Sequence, residues 1–290
     1  MRYRCYGATI SSEVPLGLQQ GGDEPDVEVR RRSVAEPPGP ARTLRLGTDG
    51  RLVRWKVNVA AATATFWFED AGTFRVLSDE RAIDVDQRGR EQQMVRYLLV
   101  TGLSAAFSAM GRLVLHGGAV VGPHGAVAVC GPSGRGKSTT VLGLSRAGFG
   151  VLHDDLTVLT PDFTAHPGPR HASVAPATAM CLGVQGTADD DGKVAVALPD
   201  APPSRLGAVL MLDARGREPA LRRLSPRDAA VRLGKEAGLW FLLTSAARRT
   251  RFDLLTRLAE ELPCYSWSAP MGIEQAAAAA AGIVPELVSV

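Results

Sequence analysis

The run Gly131-Pro132-Ser133-Gly134-Arg135-Gly136-Lys137-Ser138 constrains this chain more than any other stretch, because it matches G-x-x-x-x-G-K-[ST] in full. Its glycines can take positive φ and turn successive backbone N–H groups toward one point, which is how a loop cradles a phosphate. Lys137 is suited to reach the outer phosphates and Ser138 to offer its hydroxyl to Mg²⁺. The helix expected to begin there directs the positive end of its dipole at the anion. Such a loop needs a strand before it and a helix after it. Ala126-Val127-Ala128-Val129-Cys130 is a short apolar run fit for a buried strand, and Thr139 to Ala147 carries Val141, Leu142 and Leu144 as a helix face before Gly148. The residues from Gly131 through Ser138, with Thr139 beside them, therefore form the candidate site for ATP with Mg²⁺.

Patterning along the chain points to two domains: a β-rich one over 1–88 and an α/β one over 89–290. The first reads as short strands at Tyr3–Tyr6, Ala8–Ile10, Val27–Val29, Thr43–Leu46, Leu52–Val59, Ala64–Phe68 and Phe74–Leu77, with a boundary at Asp84–Arg90. From Glu91 the period changes to that of a helix through Met110, followed by a strand Arg112–Val121 and a tight Gly122-Pro123-His124-Gly125 turn. Beyond the loop, strands are expected at Gly150–Asp155, Leu156–Leu159 and Ala208–Leu212, with a mobile excursion between Gln185 and Pro203. Ser225 followed by Pro226 caps a helix through Leu233, further helices fall around Leu239–Leu243 and Arg251–Leu262, and the alanine run Ala276–Ala281 makes a terminal helix.

Charge and cysteine usage narrow the function classes. The 33 basic and 30 acidic residues are interspersed and leave a net charge of only +3, so no footprint for nucleic acid or an anionic membrane stands out. Arg30-Arg31-Arg32 reads as a solvated strand end. The four cysteines, Cys5, Cys130, Cys181 and Cys264, show no C-x-x-C spacing, which argues against a zinc knuckle or a disulfide framework and fits a reducing cytoplasm. Met1–Leu16 lacks the apolar core of a secretory signal. Met94–Met110 is interrupted by Arg96, Thr101, Gly102, Ser104 and Ser108 and is shorter than the ~20 apolar residues of a bilayer span. Self-association is left open.

A second element must tell a kinase from other users of a phosphate loop. Asp154 and Asp155 end the strand that follows the loop helix, so they are expected at the edge of the sheet beside the loop. Neighbours at a strand end point opposite ways, which lets one act as a base toward an attacking hydroxyl and the other support a metal. The alternative is a pair of solvated turn carboxylates. His116, ahead of Gly117-Gly118, is either a packed core histidine or one that orients a carboxylate, and His153 reads as packed.

Taken together, Leu115-His116-Gly117, the loop from Gly131 to Thr139, and Gly148-Phe-Gly-Val-Leu-His-Asp154-Asp155 resemble the catalytic domain of bacterial HPr kinase/phosphorylase and its relatives. The resemblance implies a P-loop kinase core of the HPr kinase and phosphoenolpyruvate carboxykinase type, with Asp154 as base for a serine hydroxyl, Asp155 near the metal together with Ser138, and His116 supporting the base. It is specific over about Leu113 to Leu159. The long signature segment of true HPr kinases has no counterpart in Pro161–Gly183. The N-terminal stretch Tyr6–Leu16 looks like that of relatives outside sugar regulation, some of which phosphorylate lasso-peptide precursors. Lys193 resembles a basic residue in a substrate- or nucleotide-facing loop of such relatives, though a solvated lysine fits equally. Arg248 and Arg249 are candidates to meet an acidic or C-terminal carboxylate, against the plainer reading of a solvated helix start. The expectation is an ATP-dependent serine kinase acting on a peptide or small protein, with a small-molecule kinase and a non-catalytic ATP-binding module as rivals.

Overall fold

Alternation of apolar and polar residues sets the first part of the chain. Thr63-Ala-Thr-Phe-Trp-Phe buries every second side chain, as a strand covered on one face must. The computed structural model describes residues 1–46, 51–60, 62–189, 191–237 and 245–287. The helix expected around Leu239–Leu243 lies outside the described residues. The chain divides into two units, Met1–Arg112 with Leu239–Arg249, and Leu113–Gly238 with Thr250–Val290.

The first unit is an eight-stranded sheet built from β1 (Arg2–Cys5), β2 (Ala8–Ser12), β3 (Val27–Arg31), β4 (Arg42–Leu46), β5 (Arg51–Ala60), β6 (Thr63–Phe68), β7 (Gly72–Leu77) and β8 (Ala82–Gln87). Its spatial order is β1-β2-β3-β8-β7-β6-β5-β4. Tyr6 and Gly7 both take positive φ, 54° and 70°, as a two-residue turn of the primed kind requires between β1 and β2. Strand β8 falls across the stretch where periodicity placed a boundary. Its register with β3 and β7 puts Asp84 opposite both Arg30 and Arg75, and both arginines hydrogen-bond it. Arg30 is thus a structural ion-pair partner rather than a solvated strand end. The expected long helix is present as α1 (Glu91–Tyr97) and α2 (Leu103–Ala109) joined by one π-helical stretch, Leu98–Gly102, which packs on β7. Tyr97 stacks on Phe68 at 3.8 Å between ring centroids and so ties the helix to the sheet.

The second unit carries β9 (Leu113–Gly122), β10 (Gly125–Cys130), α3 (Lys137–Arg146), β11 (Gly150–His153), β12 (Leu156–Leu159), β13 (Thr164–Ala165), β14 (His171–Val174), α4 (Pro176–Cys181), β15 (Thr187–Ala188), β16 (Val194–Ala197), β17 (Ser204–Leu212), β18 (Ala220–Arg223), α5 (Pro226–Glu236), α6 (Ser245–Glu261, its first turns grouped with the first unit), β19 (Cys264–Ser268) and α7 (Ile273–Leu287). Pairings run in a closed circuit, β10 to β9 to β12 to β13 to β17 and back to β10, with β19 and β18 extending from β17 and β11 added on β9. The pairings β10–β17 and β17–β19 are parallel; β9 is antiparallel to its three partners. This is a mixed α/β architecture. Ser225 caps α5 by accepting from the Asp228 N–H, with Pro226 in the first turn, as its sequence requires.

The Gln185–Pro203 stretch is more ordered in structure than its composition implies. β14, β16 and β15 form a small antiparallel sheet, and Asp189 closes its turn by accepting from the Asp191 and Lys193 N–H groups. All four cysteines are free thiols. Among the described residues no helix is long and apolar enough to cross a membrane.

The alanine run has a packing reason. Helices α3 and α7 meet at Gly143 and Ala277, where a Cβ built on Gly143 would lie 2.4 Å from the Cβ of Ala277 and 2.9 Å from its Cα. Small residues on α7 are what let the loop helix be backed this closely. Gly143→Ala improves helix propensity by about 1 kcal/mol, but the collision involves Ala277 backbone and an overpacking cost of about 1–3 kcal/mol is expected to win. The urea midpoint of Gly143→Ala should fall below wild type; a raised midpoint would contradict this close approach.

Candidate active site

The glycine loop leaves β10 and enters α3. Gly131, Gly134 and Gly136 have φ of 142°, 79° and 94°, values that L side chains rarely adopt. Its middle, Pro132 to Arg135, is exposed, while Lys137 and Thr139 are buried and Ser138 is half-buried. The Lys137 ammonium folds back over the loop and donates to the carbonyl oxygens of Gly131 at 2.7 Å and Pro132 at 3.2 Å. Burial lowers its proton affinity, and the carboxylates of Glu236, Asp155 and Asp154 act in the opposite direction. Positive φ at successive turns, an exposed rim and a tethered cation give this loop the means to hold an anion.

The two carboxylates emerge beside the loop because β9 pairs with both β10 and β11. His153 ends β11, the backbone bends at Asp154 and Asp155, and Leu156 begins β12 opposite His116 on β9. The neighbours therefore do go opposite ways: Asp155 is exposed, whereas Asp154 is 3% exposed. Neither oxygen of Asp154 has a hydrogen-bond partner of normal geometry among the described residues. Burial, then repulsion from Asp155, push its carboxyl up to about 8; the Ser138 hydroxyl facing it and the charges of Lys193 and Lys137 offset part of that rise. His153 is fully buried and its basicity drops to about 3, so it is a packed neutral histidine.

His116 is half-buried between Lys137 and Asp155. Burial first, and the Lys137 cation second, lower its proton affinity, while the Asp155 carboxylate and backbone carbonyl raise it. The charges that act on it are thus Lys137 and Asp155. Lys193, in the β15–β16 turn, is half-buried and its charge is felt at Asp154. Arg248 and Arg249 are exposed on α6 and are grouped with the first unit, whereas the loop and the carboxylates belong to the second.

Sequence reasoning missed Glu236. It sits at the last position of α5, is 8% exposed, and lies close enough to Lys137 for each charge to shift the other; burial raises its carboxyl. No local pattern marks it, because a Glu at the end of an amphipathic helix is ordinarily solvated.

The donor set suits a hard divalent cation. The Ser138 hydroxyl and the Asp154 and Asp155 carboxylates offer oxygen only, and Asp154 has unsatisfied acceptors. Among the described residues no group of three or more His, Cys, Asp or Glu side chains converges into a metal cage. A cation held by Ser138 and Asp155 would take the rest of its shell from water and phosphate oxygens.

No family model matches this chain, and no curated protein matches it. Among solved structures it is similar to the HPr(Ser) kinase/phosphatase from Coxiella burnetii, at 11% identity and a TM-score of 0.31, over 60% of this chain and 93% of that one.

The sign of the Asp154 shift makes a stability prediction. Its carboxyl binds a proton more tightly in the folded state, about 8 against an ordinary 3.8, so its contribution is full below the unfolded value and is lost as pH rises toward the folded one. In chelator and without nucleotide, Asp154→Asn should melt higher than wild type at pH ~8, with the difference shrinking toward pH ~4. Parallel melting curves for the two proteins across that range would contradict the burial of this charge.

Proposed function

We propose that this protein is an ATP- and Mg²⁺-dependent kinase that phosphorylates a serine hydroxyl of a peptide or small protein. The observation that carries the proposal is the buried carboxyl of Asp154, beside the glycine loop, which no described residue pairs in normal hydrogen-bond geometry and only the Ser138 hydroxyl faces. Buried carboxylates in a purely structural role are paired or hydrogen-bonded, and each exception calls for a reason. A base kept uncommitted for an incoming hydroxyl is such a reason.

In this reading the backbone amides of Gly131–Gly136 bind the triphosphate, and Lys137 exchanges its carbonyl partners for phosphate oxygens. Ser138 and Asp155 would hold Mg²⁺, which when bound neutralises charge on the phosphates. Asp154 accepts the proton of the acceptor hydroxyl. That oxygen forms the new bond to the γ-phosphorus, the bond from the γ-phosphorus to the β,γ-bridging oxygen breaks, and ADP carries the electron pair away. Burial holds this carboxyl at about 8 even against the charges of Lys193 and Lys137, so the base form that the exchange needs grows as pH rises toward that value. His116, neutral and set against Asp155, fixes that neighbour in place.

The choice of a peptidyl serine rests on the resemblance of Leu115–Gly117, Gly131–Thr139 and Gly148–Asp155 to the HPr-kinase-like group. Relatives that act on lasso-type precursor peptides make a serine near a peptide C-terminus the finer form of the proposal, with Lys193 as the candidate to face substrate or nucleotide.

Binding and chemistry should separate by mutation. Asp154→Asn keeps shape but cannot take up the proton, so ATP binding should persist while transfer from labelled ATP to serine peptides falls ~10²–10⁴-fold. His116→Ala should cost less. Wild-type transfer by Asp154→Asn would remove Asp154 as base. Chelation should stop transfer and Mg²⁺ restore it, and full turnover in excess chelator would refute the metal requirement.

A further inference from the structure

Arg215 follows β17 by three residues, in the turn before β18. Because β17 runs parallel to β10, with Met211 opposite Cys130, the segments leaving the two strands emerge side by side. The approach is close: a Cβ on Gly131 would lie 2.8 Å from the Leu212 carbonyl oxygen. The backbone around Arg215 is fixed on both sides. Asp213 N–H donates to the Trp267 carbonyl at 2.8 Å, Gly216 N–H to that of Ala269 at 3.0 Å, and Gly216 forms a bridge with Pro270. The side chain is tethered too, with Nη1 donating to the Met271 carbonyl at 2.7 Å.

The other edge of this guanidinium lies against the glycine loop. Nη2 is 3.1 Å, and Cζ and Nε are 3.9 Å, from where a Cβ on Gly136 would be. Among the described residues neither Nη2 nor Nε has a hydrogen-bond partner, and no carboxylate pairs with the group. A half-buried arginine held by one nitrogen, with its remaining donors beside an anion loop, has the planar fork that phosphate oxygens match.

We propose that Arg215 is a second cationic contact to the polyphosphate of the nucleotide, acting beside Lys137 at the Gly136 end of the loop. The inference rests on the nucleotide-binding reading above and extends it by a residue that no motif marks. It also gives Gly136 a second reason to lack a side chain, since its φ of 94° already disfavours one and the guanidinium occupies the space.

Calorimetric titration of ATP and Mg²⁺ into wild type, Arg215→Gln, Arg215→Lys and Lys137→Ala tests this. Arg215→Gln should bind ATP on the order of ten- to hundredfold more weakly, as expected for a lost charge-assisted hydrogen bond, with an unchanged melting midpoint in the absence of nucleotide. Arg215→Lys should recover part of the loss. ATP affinity in Arg215→Gln equal to wild type, while Lys137→Ala is impaired, overturns this inference and leaves the loop reading standing. Loss of affinity with the melting midpoint lowered alike in both Arg215 variants would make the residue a brace for the Met271 segment and also overturns it. A wild-type protein that binds no ATP, or a Lys137→Ala variant that binds it normally, removes the loop reading itself.

Discussion

The close approach of β9 to its neighbours at Gly117-Gly118 is the constraint on which the site depends. A Cβ on Gly117 would lie 2.4 Å from the Val129 carbonyl oxygen, and one on Gly118 would meet a Val141 methyl at 2.6 Å and the carbonyls of His153 and Asp154 at 2.9 Å. One dipeptide thus holds β10, which feeds the loop, against α3, which leaves it, and against the bend that carries the carboxylates. Thr157 reinforces it by donating from its hydroxyl to the Gly117 carbonyl at 3.0 Å, and the Gly117 N–H is taken by the Asp155 carbonyl. Any side chain at either position would separate strands whose spacing sets the distance from Lys137 to Asp154.

The same compactness makes the site costly. Lys137, Asp154 and Glu236 are all buried, and burial opposes the charged form of each. Opposite charges offset part of this cost, and Asp154, without a partner of normal hydrogen-bond geometry among the described residues, remains the least compensated of the three. Folds retain such groups where function requires them, so a substitution that relieves the burial should stabilise the protein while removing activity. The first unit shows the contrasting case, because Asp84, equally buried, is matched by Arg30 and Arg75.

Much of the site was legible because it is local. Gly131 to Ser138 specify the loop by residue type, the flanking apolar run and helix face supply its context, and Asp154-Asp155 follow by one helix and one strand. What escaped is assembled from far along the chain. Glu236 arrives on α5 and Arg215 on the turn after β17, and nothing in either stretch distinguishes them from solvated charges. The closing pairings through the two-residue β13 are too short for periodicity to register. Strand β8 was hidden because its buried Asp84 reads as a loop residue until Arg30 and Arg75 are seen across the sheet. The alanine run was legible as a helix, but its purpose, contact with Gly143, needed the fold.

The most direct test of the central claim is a crystal structure of the protein with Mg²⁺ and a non-hydrolysable ATP analogue. The account predicts the triphosphate wrapped by the amides of residues 131–136, Lys137 moved from the Gly131 and Pro132 carbonyls onto phosphate, and the Asp154 carboxylate facing the terminal phosphate with room for a hydroxyl between them. A nucleotide bound elsewhere, or an Asp154 turned away from the γ-phosphate, would contradict it.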